Sequence, residues 1–367
     1  MKVLHLMVSG EIGGIEVLMK NYSAHSVHEN IFLFLWNGGE IAEEMKKENR
    51  DVRFFDIRKA GMFKTLAEIR RLCKNERIDV MMTHHNAPFL KLAILWLNLV
   101  APAVRNVAYK HGTEMPLAKS NATLREHLAR EIHRWGFLRA DGVVAISGYV
   151  KNSLVHHLRI PAEKIRVLYN GVPVARFCSE VRKLKKMVKL IYVGRLTQEK
   201  GVQTIIRAVK TVSKKFDVTL DIVGDGEYRT QLEQLTEQLE LTEVVHFCGA
   251  SRNVAEHLAD ADIFIHTPEC EEGFGITVVE AMAAGCLCVC AAKGGIPEII
   301  HHGVDGVLVP EASEEALAQS LLEWLPRYCQ GECRVLQERA VVRAEEFSIC
   351  TYSKTMDSYL ENLTARK

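Results

Sequence analysis

Glu272 and Glu280 carry the sharpest chemical signal in this chain, within Glu269-Cys270-Glu271-Glu272-Gly273-Phe274-Gly275-Ile276-Thr277-Val278-Val279-Glu280. The segment follows a strand-like run over 263–266 and opens a helix predicted over 277–284. Gly273 and Gly275 leave bare backbone amides near the helix start, where negative charge is favoured. Carboxylates accept hydrogen bonds from hydroxyls, so the pair suits a ligand that is both hydroxylated and anionic, such as a nucleotide-sugar. Acidic residues near a helix N-terminus are common on electrostatic grounds alone. That explains Glu272 but not Glu280, which sits in an apolar stretch.

Two cations stand in a second strand-to-helix loop, Tyr192-Val193-Gly194-Arg195-Leu196-Thr197-Gln198-Glu199-Lys200-Gly201. Arg195 and Lys200 suit a diphosphate whose charge grows as it leaves, although charged loop residues by themselves are usually solvent-facing. The first strand ends in Ser9-Gly10-Glu11-Ile12-Gly13-Gly14-Ile15-Glu16, which serves equally as an anion-binding turn or a plain tight turn. Its spacing is not GxGxxG and no acidic residue ends the second strand, which argues against a nicotinamide or flavin enzyme. Asp260-Ala261-Asp262 spells a metal-binding DxD, but it starts a strand on the side opposite the expected site and reads as acidic residues capping an element end. His84 and His85 close another strand and read either as structural histidines or, for one of them, as an edge of the acceptor cleft, while His266-Thr267-Pro268 shapes the turn before Glu272.

The elements that must position these residues alternate along the chain. Strands are expected over 3–7, 31–35, 52–55, 80–83, 104–109, 143–146 and 165–168, then over 190–193, 218–223, 244–247, 263–266, 287–291 and 306–309. Helical patterns lie between them, such as 15–25, 63–75, 90–99 and 124–138, so parallel sheets covered by helices are expected. A length of 367 residues implies two domains, and a boundary is expected at 170–189, where Gly171 and Pro173 precede Arg182, Lys183, Lys185, Lys186 and Lys189. Formal net charge is +1, which argues against nucleic-acid binding by bulk charge. Ten cysteines include no CxxC pair, and Cys286, Cys288 and Cys290 alternate at a strand period, consistent with reduced thiols in a cytosolic protein. No signal-peptide pattern opens the chain, and the longest apolar stretch, 92–103, is too short to span a bilayer. Between Arg105 and Arg139 stand seven cationic and three acidic residues. Leu124, Leu128, Ile132 and Trp135 recur there at helical spacing, as either a core-facing stripe or a basic amphipathic helix resting on anionic lipid.

Together these segments resemble the retaining glycosyltransferases of family 4. Glu272-x7-Glu280 with Gly273-Phe274-Gly275 inside it and Ala281-Met282-Ala283-Ala284-Gly285 behind carries most of the likeness. Gly13-Gly14-x-Glu16, Lys110-His111-Gly112, Asn170-Gly171-Val172, Val223-Gly224-Asp225-Gly226 and Gly294-Gly295-x-Pro297-Glu298 complete it, with Pro173 where the family commonly has Asp. The resemblance implies an α/β GT-B fold of two Rossmann-like parallel-sheet domains facing a central cleft. Residues 1–171 would form the acceptor side, 172–188 a linker and 189–346 the nucleotide-sugar-binding domain, with a terminal helix over about 347–367 able to pack back on the first.

The roles follow from the same likeness. Arg195 and Lys200 would hold the donor diphosphate, Glu280 the ribose hydroxyls and Glu272 the sugar hydroxyls. Amides around Phe274, Gly275 and Ile276 would hold sugar and phosphate, Gly14 would approach the phosphate, and His111 would sit by the transferring sugar. The base would rest near Gly249, Ala250 and Ser251. Retention would follow a front-face route, and no carboxylate pair suggests a double displacement. No cofactor or metal is expected. The implied partners are a nucleotide-sugar donor, with a UDP-sugar as first guess, and a glycan or lipid-linked acceptor read by loops 36–39 and 113–122. The implied setting is bacterial surface-glycan synthesis on the cytoplasmic face of the inner membrane. The rival readings are a sugar phosphorylase or epimerase, and a non-catalytic nucleotide-sugar-binding protein.

Overall fold

A computed structural model describes residues 1–85, 87–113, 123–177 and 187–365. The chain divides into two units, Met1–Gly171 with Ile349–Lys367, and Val172–Ser348.

The first unit holds seven strands: β1 (Lys2–Ser9), β2 (Glu29–Asn37), β3 (Asp51–Phe54), β4 (Val80–Thr83), β5 (Arg105–Lys110), β6 (Gly142–Ala145) and β7 (Ile165–Val167). All pair in parallel, in the order β3-β2-β1-β4-β5-β6-β7. Helices cover both faces of such a sheet, which is why β1 and β4 are buried along nearly their whole length and do not alternate. Chain direction across the sheet reverses between β1 and β4, and ligands of doubly wound sheets gather at that switch point.

The helix Ile349–Ala365 belongs to this unit. Its Asp357 accepts hydrogen bonds from the Tyr22 hydroxyl at 2.6 Å, the Ser26 hydroxyl at 2.8 Å and the Val27 amide at 2.9 Å. At Gly142 a β-carbon would stand 2.0 Å from the Tyr359 hydroxyl, so a larger residue there would force the Tyr359 side chain of this helix to shift.

The second unit holds β8 (Val188–Val193), β9 (Val218–Val223), β10 (Val245–Gly249), β11 (Ile263–His266), β12 (Leu287–Ala291) and β13 (Val307–Val309), again parallel, in the order β10-β9-β8-β11-β12-β13. Its switch point lies between β8 and β11. The helix Val202–Val212 buries Val202, Ile205, Ile206, Val209 and Val212 at helical spacing against Leu190, Leu220 and Ile263 in one apolar core. Cys286, Cys288 and Cys290 are fully buried at β12.

Asp260 and Asp262 are structural. Asp262 accepts from the Lys189 amide and the Tyr328 hydroxyl, both at 2.8 Å, and Asp260 pairs with the Lys189 ammonium at 2.7 Å. They tie the starts of β8 and β11 together, at the edge opposite the strand ends where ligands gather.

Of the two readings open for the stripe over 124–138, the core-facing one is not what the helix adopts. Thr123 and Glu126 form a capping box that starts the helix Leu124–Arg139, and its buried side is His133, Gly136 and Phe137. Gly136 explains the choice of face: a β-carbon there would meet the Lys91 side chain at 2.4 Å, so the helix Pro88–Val100 packs on its glycine side. Leu124, Leu128 and Trp135 are left 86%, 61% and 45% exposed.

Candidate active site

In the second unit, the loops after β8 and β11 meet through glycines. Gly201 has φ +69°, and a β-carbon on it would stand 2.0 Å from the Thr267 carbonyl. The amides of Glu269 and Cys270 return to the Glu199 carbonyl at 2.9 and 3.3 Å. This docking brings the Lys200 ammonium 2.8 Å from Glu272 Oε2. Gly294, at φ +58°, would place a β-carbon 2.0 Å from the Glu272 carbonyl, and the Gly295 amide donates to that carbonyl at 2.8 Å. Backbone on one side and Lys200 on the other therefore fix Glu272.

His266 Nε2 lies 3.4 Å from the same carboxylate oxygen. Both nitrogens of this buried ring lack a well-aligned hydrogen bond. Burial pushes the Glu272 carboxyl up, but His266 and Lys200 outweigh it and hold the group down at about 2. Glu280, inside the helix Ile276–Ala283, is the opposite case. Burial pushes its carboxyl up to about 7, and Arg176 only partly offsets that. No ion pair or hydrogen bond to the Glu280 side chain occurs among the described residues. One carboxyl is thus permanently charged and partnered, and the other is poised near neutrality without a partner.

The remaining second-unit candidates lie around these two. The amides of Val278 and Val279 fold back onto the Gly275 carbonyl at 3.1 and 3.3 Å, while those of Ile276 and Thr277 have no acceptor among the described residues. The Phe274 side chain is core, buried edge-on against Phe347 at 5.6 Å, so its part in any site is through the backbone. Arg195 is exposed and its guanidinium has no ion pair among the described residues; it lines a surface hollow with Thr197, Glu227 and Glu269. Lys200 is engaged by Glu272. Ala250 follows β10 and is exposed, beside Gly249 at φ +74° and Ser251, whose hydroxyl accepts from the Asn253 amide.

In the first unit, Gly14 opens the helix Gly14–His25 with no side-chain cap, leaving its first amides available. A β-carbon at Gly13 would meet Glu16 at 2.4 Å. The buried Glu16 carboxylate lies 3.1 Å from His85 Nε2, and the Val8 amide donates to His85 Nδ1 at 3.4 Å. His85 therefore carries its proton on Nε2 and ties the loop after β1 to the end of β4. His111 follows β5, partly exposed, with its ring 4.0 Å from that of Tyr109. Burial, then the charges of His85, Lys91 and Lys110, depress its pKa well below the usual imidazole value.

Of the acceptor loop expected at 113–122, residues 114–122 lie outside the described residues, as do 178–186 of the expected linker, including Arg182, Lys183, Lys185 and Lys186. Among the described residues, Asp221, Cys248 and His257 lie close enough to share a cation, but the Lys189 ammonium is already 2.9 Å from Asp221.

Residues 12–176 match the family described as Glycosyltransferase Family 4, and residues 178–340 match Glycosyl transferases group 1. The two matches together span most of the chain. This chain belongs to glycosyltransferase family 4. The family 4 chain is 28% identical over 267 residues to the N-acetyl-alpha-D-glucosaminyl L-malate synthase of Bacillus anthracis, covering 71% of this chain and 68% of that protein. It is 33% identical over 262 residues to the amylovoran biosynthesis glycosyltransferase AmsK of Erwinia amylovora, covering 67% and 62%. In structure it matches HepE of Anabaena, solved in complex with UDP, with a TM-score of 0.87 at 21% identity over 99% of this chain and 100% of that one. The fold of this family 4 glycosyltransferase is GT-B.

Two features of the site are not visible in the sequence of this family 4 chain. His266 reads there as part of a turn, and the Lys200–Glu272 pair joins residues 72 positions apart. The pair depends on β8 and β11 being neighbours. The only local trace is a polar residue ending an otherwise apolar strand.

Proposed function

We propose that this chain transfers a hexosyl or N-acetylhexosaminyl group, with retention, from a UDP-sugar to a hydroxyl of a glycan or lipid-linked acceptor in surface-polysaccharide synthesis. The observation that carries this reading is the unlike pair of carboxyls in one loop and helix. Glu280, without a partner and poised near neutrality, accepts from the two ribose hydroxyls, which supply the hydrogen bonds its burial denies it. Glu272, locked in the charged form, accepts from hydroxyls of the sugar.

The helix-start amides of Ile276 and Thr277 and the guanidinium of Arg195 take the diphosphate. Lys200 shares its charge between Glu272 and the phosphate, so charge developing on the leaving group draws on a cation already in place. The acceptor oxygen bonds to the anomeric carbon as the bond from that carbon to the diphosphate oxygen breaks. The acceptor's proton passes to the departing phosphate, giving the glycoside and UDP. With Arg195 and Lys200 carrying the charge work, the reaction proceeds without a metal. Gly14 and His111 of the first unit attend the phosphate and the sugar.

Support for the donor comes from the UDP bound to HepE, and for the pathway from the amylovoran enzyme. The exposed Leu124, Leu128 and Trp135, on a helix that also bears Arg125 and Arg139, support contact with an anionic membrane. Among the described residues, no helix is long and apolar enough to cross one.

Thermal melting against UDP, GDP, ADP and their sugar conjugates, with and without EDTA, tests the reading. UDP and UDP-sugars are expected to raise the melting temperature irrespective of EDTA, and Arg195→Ala or Glu280→Ala to abolish the rise. No rise with any nucleotide at millimolar concentration overturns it.

A further inference from the structure

Three imidazoles stand in single file inside the first unit. His5 Nδ1 lies 2.9 Å from His84 Nε2, and His84 Nδ1 lies 3.2 Å from His111 Nε2. At the inner end, His5 Nε2 lies 2.8 Å from Asn30 Oδ1. His5 and His84 are fully buried, on β1 and just after β4, whereas His111 is partly exposed. Packing holds the rings in register: His5 stacks on Phe32 at 4.6 Å, and His111 rests on Tyr109.

A neutral imidazole has one donor and one acceptor nitrogen, so one end of such a file dictates every proton in it. That end is anchored by a backbone carbonyl. Asn30 Nδ2 donates to the His28 carbonyl at 2.9 Å, and a carbonyl can only accept. Asn30 therefore turns its Oδ1 to His5, and His5 must donate from Nε2. His5 Nδ1 is then bare and accepts from His84 Nε2; His84 Nδ1 is bare and accepts from His111 Nε2. The file ends with the Nδ1 of His111 bare and without a partner among the described residues.

Burial keeps the rings neutral. It lowers the pKa of His5 to about 4 and, reinforced by neighbouring histidines and Lys91, that of His84 well below the ordinary value. Lys110 and His85 act in the same direction on His111. A second proton on His5 or His84 would set two donors face to face.

We infer that Asn30 is a positioning residue that fixes, through His5 and His84, the Nε2–H tautomer of His111, so that His111 meets its ligand as a hydrogen-bond acceptor. Resting on the glycosyltransfer reading, this selects a donor sugar that offers a hydroxyl proton at His111. A carboxylate there would set lone pair against lone pair.

The test is long-range proton–nitrogen NMR of the full chain labelled with ¹⁵N-histidine, with His111 assigned by its loss in His111→Gln. The Nε2–H form is expected for all three rings in the unaltered protein, a result that needs no variant to fold. In Asn30→Leu, which keeps the volume but removes the anchor, both tautomers of His111 are expected. UDP-sugar turnover should then fall only about two-fold, since half of the molecules keep the competent form. An Nδ1–H form of His111 in the unaltered protein, or an unchanged His111 signal in Asn30→Leu, overturns the inference. These signals are read without a substrate. The Nε2–H pattern in a protein that no nucleotide or nucleotide-sugar stabilises would leave the relay standing and remove the glycosyltransfer reading.

Discussion

Glu272 and Glu280 are chemically identical side chains that the fold sends to opposite states. Lys200 and His266 hold Glu272 near pKa 2 against its own burial, whereas burial takes Glu280 to about 7 with only Arg176 opposing it. A carboxyl whose folded pKa exceeds its ordinary 4.5 contributes stability that is fully present below that value and lost as pH rises through about 7. At pH 8 the loss amounts to about 3 kcal/mol. Glu280→Gln keeps the shape without the charge. It is therefore expected to unfold at higher denaturant than the unaltered protein at pH 8, the advantage fading towards pH 4.5, while losing nucleotide-induced stabilisation. Urea titrations at the two pH values, with and without UDP, check both halves. Equal stability of the two proteins at pH 8 would show that Glu280 carries no burial penalty and sink this account of its poise.

At the scale of elements, strands were legible because a parallel sheet covered on both faces demands mostly apolar runs, which β1, β4 and β12 display. The glycine loops were legible for a similar reason, since Gly201 and Gly294 sit where any side chain would strike backbone. What stayed hidden depends on which strands become neighbours: the Lys200–Glu272 pair and the file from Asn30 to His111. His84 read as a structural histidine, and its partners on β1 and after β5 could not be seen from its own segment.

Periodicity also could not orient the helix Leu124–Arg139. The apolar stripe is real, but Gly136 and not the stripe chose the buried face, leaving Leu124, Leu128 and Trp135 outward beside Arg125 and Arg139. An outward stripe of this kind is expected to bind vesicles containing anionic phosphatidylglycerol and to release neutral phosphatidylcholine. Changing both Leu124 and Leu128 to Ser should weaken co-sedimentation at least about a hundred-fold, from roughly 1.5 kcal/mol or more for each leucine no longer buried in lipid. Equal sedimentation with both lipids, or none with either, would rule out the membrane role for this helix.

At the scale of the whole molecule, the last helix closes the first unit rather than the second, so the two ends of the chain are one structural problem. Asp357 is the clasp. It is buried, and it accepts from Tyr22, Ser26 and Val27, residues more than 300 positions earlier. Asp357→Ala strands three buried or half-buried donors, at a cost of about 3 kcal/mol when the losses of one or two good hydrogen bonds and their desolvation are combined. Because the second unit has its own core around Leu190, Leu220 and Ile263, that cost should stay local. Hydrogen exchange followed by mass spectrometry is expected to speed up in β1, β2 and the helix Gly14–His25 of the variant, with β8 to β13 unchanged and UDP still protecting the helix Ile276–Ala283. Acceleration spread evenly over both sheets would mean that the units unfold together, and the separation drawn from their contacts would fail.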